Sequence, residues 1–408
     1  MRVSGAFVTA ERSTQTLVFT GNHMDRVSKI IFLVSSPFNR RDNDRFGVEL
    51  LRENGFAVEI WDLTPIVNPA RWKAAAAPEG GQFKNYAVFT RKRDAADALL
   101  RLAGECWVVS MVNYSFENLW LFRVLSRCGL PYSFVIYNVP CFDCHPQMGK
   151  IQWLSRIFSR ELLSYLFWKV PYRVFGVKPA SAILMLGGKV DLSIYPVDAT
   201  TDIVKSHYFD YDAYLHEIRN PVQADPALGV FLDNYLPFHP DWGAASPLDP
   251  AEYYPLLRKF FDLLEEKHGM RIVVAAHPRS LYEKLPDYFG GRPVIMGDTV
   301  NLVRRSRFVI AHQSASTSYA ILFNKPLVFV TTDSLQRTDL GPLTEFIAAA
   351  LKKTVINLSG EYEFRPEREF TVDGPGYQSY QRTYIKEEGR EDLPIWQTFA
   401  NYIKNACR

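Results

Sequence analysis

Residues 271–276 read RIVVAA and run into His277-Pro278-Arg279-Ser280, and residues 308–330 read FVIAHQSASTSYAILFNKPLVFV. The first run is a hydrophobic strand, Arg271 to Ala276, that stops at a histidine and a proline. The second begins as a strand, Phe308 to Ala311, and enters a hydroxyl cluster at Ser314, Ser316, Thr317 and Ser318. Tyr319 to Phe323 has helical character, and Leu327 to Val330 is another strand. Strand, polar turn, helix, strand is the pattern of a parallel sheet, whose ligands bind outside the carboxyl ends of the strands. Both polar groups fall at such ends. A helix that starts after a run of hydroxyls presents unpaired backbone N–H groups and a positive dipole end, which suits a phosphate.

Working outward, Leu228 to Asp233 (LGVFLD) opens this second domain, and the loop Asn234 to Trp242 follows. Ala251 to His268 is an amphipathic helix with Gly269 as its stop, and Asp298 or Thr299 caps a helix over Val300 to Arg305. Upstream, Lys29 to Ser35, Phe56 to Leu63, Tyr86 to Thr90, Trp107 to Val112 and Ser133 to Tyr137 read as strands. Helices over Arg45 to Asn54, Asp94 to Leu102 and Glu117 to Cys128 alternate with them, again the grammar of a parallel sheet. No GxGxxG follows the first strand, so a dinucleotide is not expected there. The expected fold is α/β, two Rossmann-like domains facing a cleft. The expected boundaries are a loosely ordered leader at 1–26, a first domain at 27–199, a linker at 200–227 and a second domain at 228–388. Residues beyond Ser359 read as charged and loop-like, with a last helix from Leu393 to Ala406 that returns to the first domain within 389–408.

Composition narrows the function classes. A chain of 408 residues with 47% hydrophobic and 14% aromatic residues has enough for two domain cores. The formal net charge of +3 is too balanced to imply nucleic acid. Five cysteines without a secretion signal point to free thiols in a reducing cytoplasm. No stretch of about 18 apolar residues marks a membrane span.

Two stretches invite sharper readings. Cys141-Phe142-Asp143-Cys144-His145 resembles a zinc or redox motif, but no second CxxC or HxxxH supplies further ligands, so the better reading is a cleft loop with Asp143 or His145 facing substrate. Lys150 to Arg173 sets Ile151, Leu154, Phe158, Leu162 and Tyr165 along one side of a basic helix. A core helix with solvated basic residues is the favoured reading; peripheral contact with anionic lipid through 150–173 is the alternative.

The layout resembles the GT-B glycosyltransferases. Within that group, His277-Pro278 followed by Ser316-Thr317-Ser318 is similar to the pattern of bacterial sialyltransferases and related Kdo-transferase-like CMP-sugar transferases of surface polysaccharide assembly. The resemblance covers roughly Leu228 to Thr332 and is only architectural in the first domain. It implies that His277 contacts the nucleotide phosphate and that the serine–threonine cluster holds the same group. Pro278, Arg279 and Ser314 then belong to the same donor site. In that family the general base is a carboxylate in an acidic-acidic-glycine motif ahead of the His-Pro. Here the corresponding triplet, Glu387-Glu388-Gly389, lies after it, so the role is not carried over. Asp233, at the end of the first strand of its domain, is the provisional base; Asp42, Asp44 and Asp143 are candidates from the opposite wall.

Breaking a sugar–phosphate bond leaves charge on the nucleotide, so catalysis needs donors aimed at phosphate oxygens. No DxD-type carboxylate pair stands in a suitable place, so no metal and no cofactor are expected. Tyr319 to Pro326 lacks the acidic residues of the retaining enzymes, which favours inversion. The expected activity is an inverting transfer from a nucleotide-activated sugar, preferably a CMP-linked acidic sugar, to a glycan or lipid-linked glycan. CDP-glycerol-type phosphotransfer, nucleotide-sugar epimerisation and a non-catalytic carbohydrate-binding or assembly role are the alternatives.

Overall fold

The computed structural model describes residues 27–74, 83–102, 104–137, 167–188, 190–239 and 246–407. The expected leader at 1–26, the CxxC loop with Asp143 and His145, and the stretch 150–166 lie outside them. The described chain forms two sheets, both parallel throughout.

The first sheet has seven strands in the order β3-β2-β1-β4-β5-β6-β7. They are β1 (Lys29–Val34), β2 (Ala57–Asp62), β3 (Tyr86–Val88), β4 (Cys106–Ser110), β5 (Tyr132–Tyr137), β6 (Ala182–Leu186) and β7 (Asp202–Ser206). The second has six in the order β10-β9-β8-β11-β12-β13. These are β8 (Leu228–Leu232), β9 (Arg271–Ala276), β10 (Val294–Met296), β11 (Phe308–Ala311), β12 (Leu327–Thr331) and β13 (Val355–Asn357). In each sheet the order runs backward from its first strand and then jumps to the other side, the doubly wound pattern. The fold is therefore α/β with two Rossmann-like domains. Hydrophobic clusters cover both faces of each sheet, as strands such as β4, β6, β8 and β12, buried at every residue, require.

Three expectations change. The helix expected from Arg45 to Asn54 is two short ones, α1 (Arg40–Arg45) and α2 (Val48–Glu53), broken at Gly47. Gly47 takes φ +55°, and a Cβ there would lie 2.5 Å from Trp396 Cδ1, so only glycine fits the turn. The 200–227 stretch is not a plain linker: Asp202–Ser206 is the edge strand β7 of the first sheet, and Phe209–Glu217 is a helix, α3. Its Asp- and Tyr-rich composition hid an edge strand that needs to be only half apolar. Beyond Ser359 the chain is also more ordered than expected, with a helix at Gly374–Tyr380 that passes into a π-turn at Gln381–Ile385. Tyr377, Tyr380, Tyr384 and Ile385 from this piece join the second-domain core.

The last helix, α4 (Ile395–Ala406), returns to the first domain as expected. Ile395, Trp396, Phe399, Ala400 and Ile403 lie on one helical stripe and pack with Ile30, Phe32 and Trp107 of the first sheet. The chain thus crosses between domains twice, and the crossings are tied together. The Tyr208 N–H donates to the Ile385 carbonyl at 2.7 Å, and His207 Nε2 meets the Leu393 carbonyl at 2.8 Å. Lys205 pairs with Glu387 at 3.0 Å, which places the Glu-Glu-Gly triplet in this clasp rather than at a strand end.

Candidate functional site

The strand order reverses between β8 and β11, and that is where an open parallel sheet leaves a crevice at its carboxyl edge. The register aligns Leu232 of β8 with Ala311 of β11 and with Ala275 of β9. Asp233-Asn234, His277 and His312-Gln313-Ser314 therefore emerge side by side. Asn234 spans the switch point by donating from its side-chain amide to the Gln313 carbonyl. Its Oδ1 is buried without a partner, an acceptor that sequence reasoning missed.

Asp233 is only 5% exposed. Its Oδ1 accepts the Tyr235 N–H at 3.0 Å, its Oδ2 accepts the Tyr282 hydroxyl at 2.9 Å, and the His277 backbone N–H donates to the same carboxylate. Burial outweighs these bonds and pushes the carboxyl up to about 6. Below it, His312 Nδ1 faces the Val330 carbonyl at 2.6 Å and Nε2 faces the Tyr253 hydroxyl at 2.7 Å. A carbonyl only accepts, so Nδ1 carries the proton and Nε2 receives the tyrosine's. Burial lowers His312 to about 4, so the ring is neutral at physiological pH. Asp233 thus closes over an apolar, fully bonded floor and fixes the backbone of the His277 turn. Its two oxygens are turned toward the Tyr235 and His277 backbone N–H groups and the Tyr282 hydroxyl.

The raised carboxyl has a measurable consequence. Folded Asp233 holds its proton up to about 6, whereas in the unfolded chain it is lost near about 3.9. Between those values the folded state binds the extra proton, so this contribution to stability is full below about pH 4 and is lost as pH rises through 6. The loss is about 3 kcal/mol at about 1.4 kcal/mol per unit. Chemical denaturation of wild type and Asp233→Asn between pH 4 and pH 7 is expected to show that extra decline in wild type alone. Parallel pH profiles would contradict it.

His277 Nδ1 accepts the Arg279 backbone N–H at 3.2 Å, which leaves Nε2 as the proton-bearing nitrogen. His277 is thus a donor through Nε2 without needing a charge of its own. Arg279 also reaches His239 Nε2 at 3.1 Å, and the rings of His239 and His277 pack edge to face with centroids 5.0 Å apart. His239, from the loop after β8, is a further member of the group that its sequence context did not mark. Pro278 is exposed at the rim.

The hydroxyl cluster divides. The Thr317 hydroxyl is buried and donates to the Ser314 carbonyl at 2.7 Å. Ser318 is also buried; its hydroxyl lies 2.9 Å from the Ala315 carbonyl and against Asp210 Oδ2 of α3. Tyr319 adds a hydroxyl at 3.3 Å from Asp210 Oδ1. The Ser318 hydroxyl is thus shared between the Ala315 carbonyl and Asp210, whose carboxyl burial raises. Ser314 and Ser316 remain as the partly exposed members, the Ser314 hydroxyl oxygen accepting the Ser316 N–H at 3.3 Å. The helix itself, Thr317–Leu322, has six residues, and the N–H groups of Thr317, Ser318 and Tyr319 are already paired with the carbonyls of Ser314, Ala315 and Ser316. The expected dipole contribution therefore shrinks. The Arg304 guanidinium donates to the Glu217 carbonyl. Its place in the last turn of a helix leading into β11 puts it at the amino edge of the sheet.

From the first domain, Asp42 and Asp44 ride on α1, just beyond the carboxyl end of β1. Asp42 is half-buried, and burial raises its carboxyl against the opposing charges of Arg45, Arg41 and Arg71. Asp44 instead lines a separate cavity of about 370 Å³ together with Glu49, Asp212, His216 and Trp396. Among the described residues no helix is long and apolar enough to cross a membrane.

No protein-family model matches the chain, and no curated protein matches it. Solved structures similar to it include the glycosyltransferase SnogD from Streptomyces nogalater, at TM-score 0.44 and 12% identity over 93% of this chain and 99% of that one. Arabidopsis thaliana UGT89C1 is similar at TM-score 0.43 and 10% identity, covering 93% of this chain and 94% of that one. The UDP-GlcNAc 2-epimerase from Methanocaldococcus jannaschii is similar at TM-score 0.37 and 10% identity, over 86% of this chain and 97% of that one. At such scores the likeness decides nothing about activity. The fold assignment rests on the two sheets themselves.

Proposed function

We propose that the protein is an inverting glycosyltransferase that works without a metal, moving a sugar from a nucleotide-activated donor, preferably a CMP-linked acidic sugar, to a glycan or lipid-linked glycan in bacterial surface polysaccharide assembly. The observation that carries this reading is the convergence of His277, Ser314 and Ser316 on the end of β8, at the switch point of a sheet whose domain faces a second one. β9 and β11 flank β8, so their ends stand about 10 Å apart. A phosphate lodged above β8 lies within reach of donors from both sides.

In this reading an acceptor oxygen attacks the anomeric carbon, the carbon–oxygen bond to the phosphate breaks, and the electron pair leaves with the nucleotide. His277 Nε2–H and the hydroxyls of Ser314 and Ser316 donate to the phosphate oxygens on which charge builds. Asp233 holds the His277 turn in place. The acceptor's proton passes to Asp42, which is half-buried on the opposite wall and raised by that burial.

A thermal-shift screen with CMP, CDP and UDP tests the reading without requiring the acceptor. A nucleotide at about 100 times its dissociation constant adds about 2.7 kcal/mol to the folded state, and CMP is expected to stabilise most. Stabilisation by none of the three would contradict the reading.

A further inference from the structure

We infer that Arg45, with Arg41 beside it, is the first domain's contact to an oxyanion of the donor, meeting it across the cleft from the Ser314–Ser318 turn. This inference rests on the nucleotide-donor reading and adds the second wall to its site. The first observation is Asp210, which lies between the domains. On one side it receives Ser318 and Tyr319. On the other it feels the positive charges of Arg45 and Arg41, and Arg41 also acts on Tyr319. The arginines of α1 and the turn after β11 therefore both come close to Asp210.

The second observation concerns Arg45 alone. Its guanidinium lies over the Phe209 ring with Cζ 3.8 Å from the centroid, and its Nε is buried without a hydrogen-bond partner. A guanidinium whose face rests on an aromatic ring carries its N–H groups in its own plane and can still offer them to an acceptor. A buried N–H with no acceptor is rare and calls for a ligand or an ion. An oxyanion beside Phe209 would supply the acceptor, and the planar fork of arginine suits a phosphate or a carboxylate.

The third observation is that Arg45 is held where it is. The Trp396 indole of α4 donates to the Arg45 carbonyl at 2.7 Å, and Gly47 presses against the same tryptophan. The carboxylates that feel this pair are Asp42, on α1 itself, and Asp210. Burial raises both carboxyls.

Calorimetric titration of CMP and of a CMP-linked acidic sugar into the full chain tests the inference in wild type, Arg45→Gln and Arg45→Lys. The glutamine variant is expected to bind the donor roughly tenfold or more weakly, the scale of one charge-assisted bond. The lysine variant, which keeps the charge but not the fork, is expected to lose part of that affinity and replaces the glutamine variant if the latter fails to fold. Equal losses for CMP and the CMP-sugar assign the oxyanion to the phosphate; a loss for the CMP-sugar alone assigns it to the sugar carboxylate. Wild-type affinity for both ligands in the variants overturns the inference and leaves the proposed function standing. If wild type binds neither ligand, the CMP preference falls and pyrophosphate becomes the probe: binding that depends on Arg45 upholds the oxyanion contact, and binding that does not overturns it.

Discussion

Turnover of the His277→Ala variant is expected to fall by roughly tenfold to a hundredfold, with the fold intact. The side chain supplies one donor, Nε2–H, to a phosphate that is itself charged, and a bond of that kind contributes about 1.5–3 kcal/mol. If it strengthens as the nucleotide leaves, the loss appears in kcat. The turn itself survives the substitution, because alanine retains the backbone N–H that donates to Asp233. Among what it gives up are the Nδ1 acceptor for the Arg279 amide, at 3.2 Å a long bond at the exposed rim, and the ring packing on His239. Steady-state release of nucleotide from the donor, measured beside a denaturation curve, separates the two effects. Wild-type turnover in the variant would remove His277 from the site.

A larger effect is expected from Gly188→Ala, far from the chemistry. Gly187 and Gly188 follow β6 and meet the π-turn of the second domain. A Cβ on Gly188 would lie 2.0 Å from the Thr383 carbonyl oxygen, and one on Gly187, where φ is +81°, would lie 2.6 Å from the Tyr384 oxygen. Both obstacles are backbone, so no rotamer change relieves them and the domains must shift apart. In the proposed function the donor grip and the acceptor wall belong to different domains, and a displacement of about 1 Å between reacting groups costs about a hundredfold in rate. The expected result is a loss of turnover on that scale, measured beside a denaturation curve because Tyr384 of the facing turn belongs to the second-domain core. Wild-type kinetics together with unchanged small-angle scattering would contradict the role given to this contact.

How much of this was legible in the sequence depended on distance along the chain. β9 and β11 were readable to the residue, because an apolar run ending in His-Pro or in a hydroxyl cluster carries its own punctuation. Asp233 was readable as a strand-end carboxylate, but its burial was not. That burial depends on Tyr282 and on Tyr253 and Tyr254 of a helix, which approach only when β8 and β9 pair. The serine cluster announced a phosphate turn, yet Thr317 turns back on the Ser314 carbonyl and Ser318 turns in toward Asp210, a residue in a stretch whose composition looks like a linker. β6 had the signal of a buried strand, AILML before two glycines, and was the clearest element to be passed over. The Arg45 contact left no local signal at all, since its partners are Phe209 and Trp396.

The central claim is that a nucleotide's phosphate sits over the end of β8, between His277 and the serine turn. The most direct measurement is a crystal structure of the full chain with CMP or an unreactive CMP-sugar. The account predicts phosphate oxygens within hydrogen-bonding distance of His277 Nε2 and of the Ser314 or Ser316 hydroxyl. A nucleotide bound anywhere else, such as the cavity beside Asp44 and Trp396, or no bound nucleotide at saturating concentration, would contradict it.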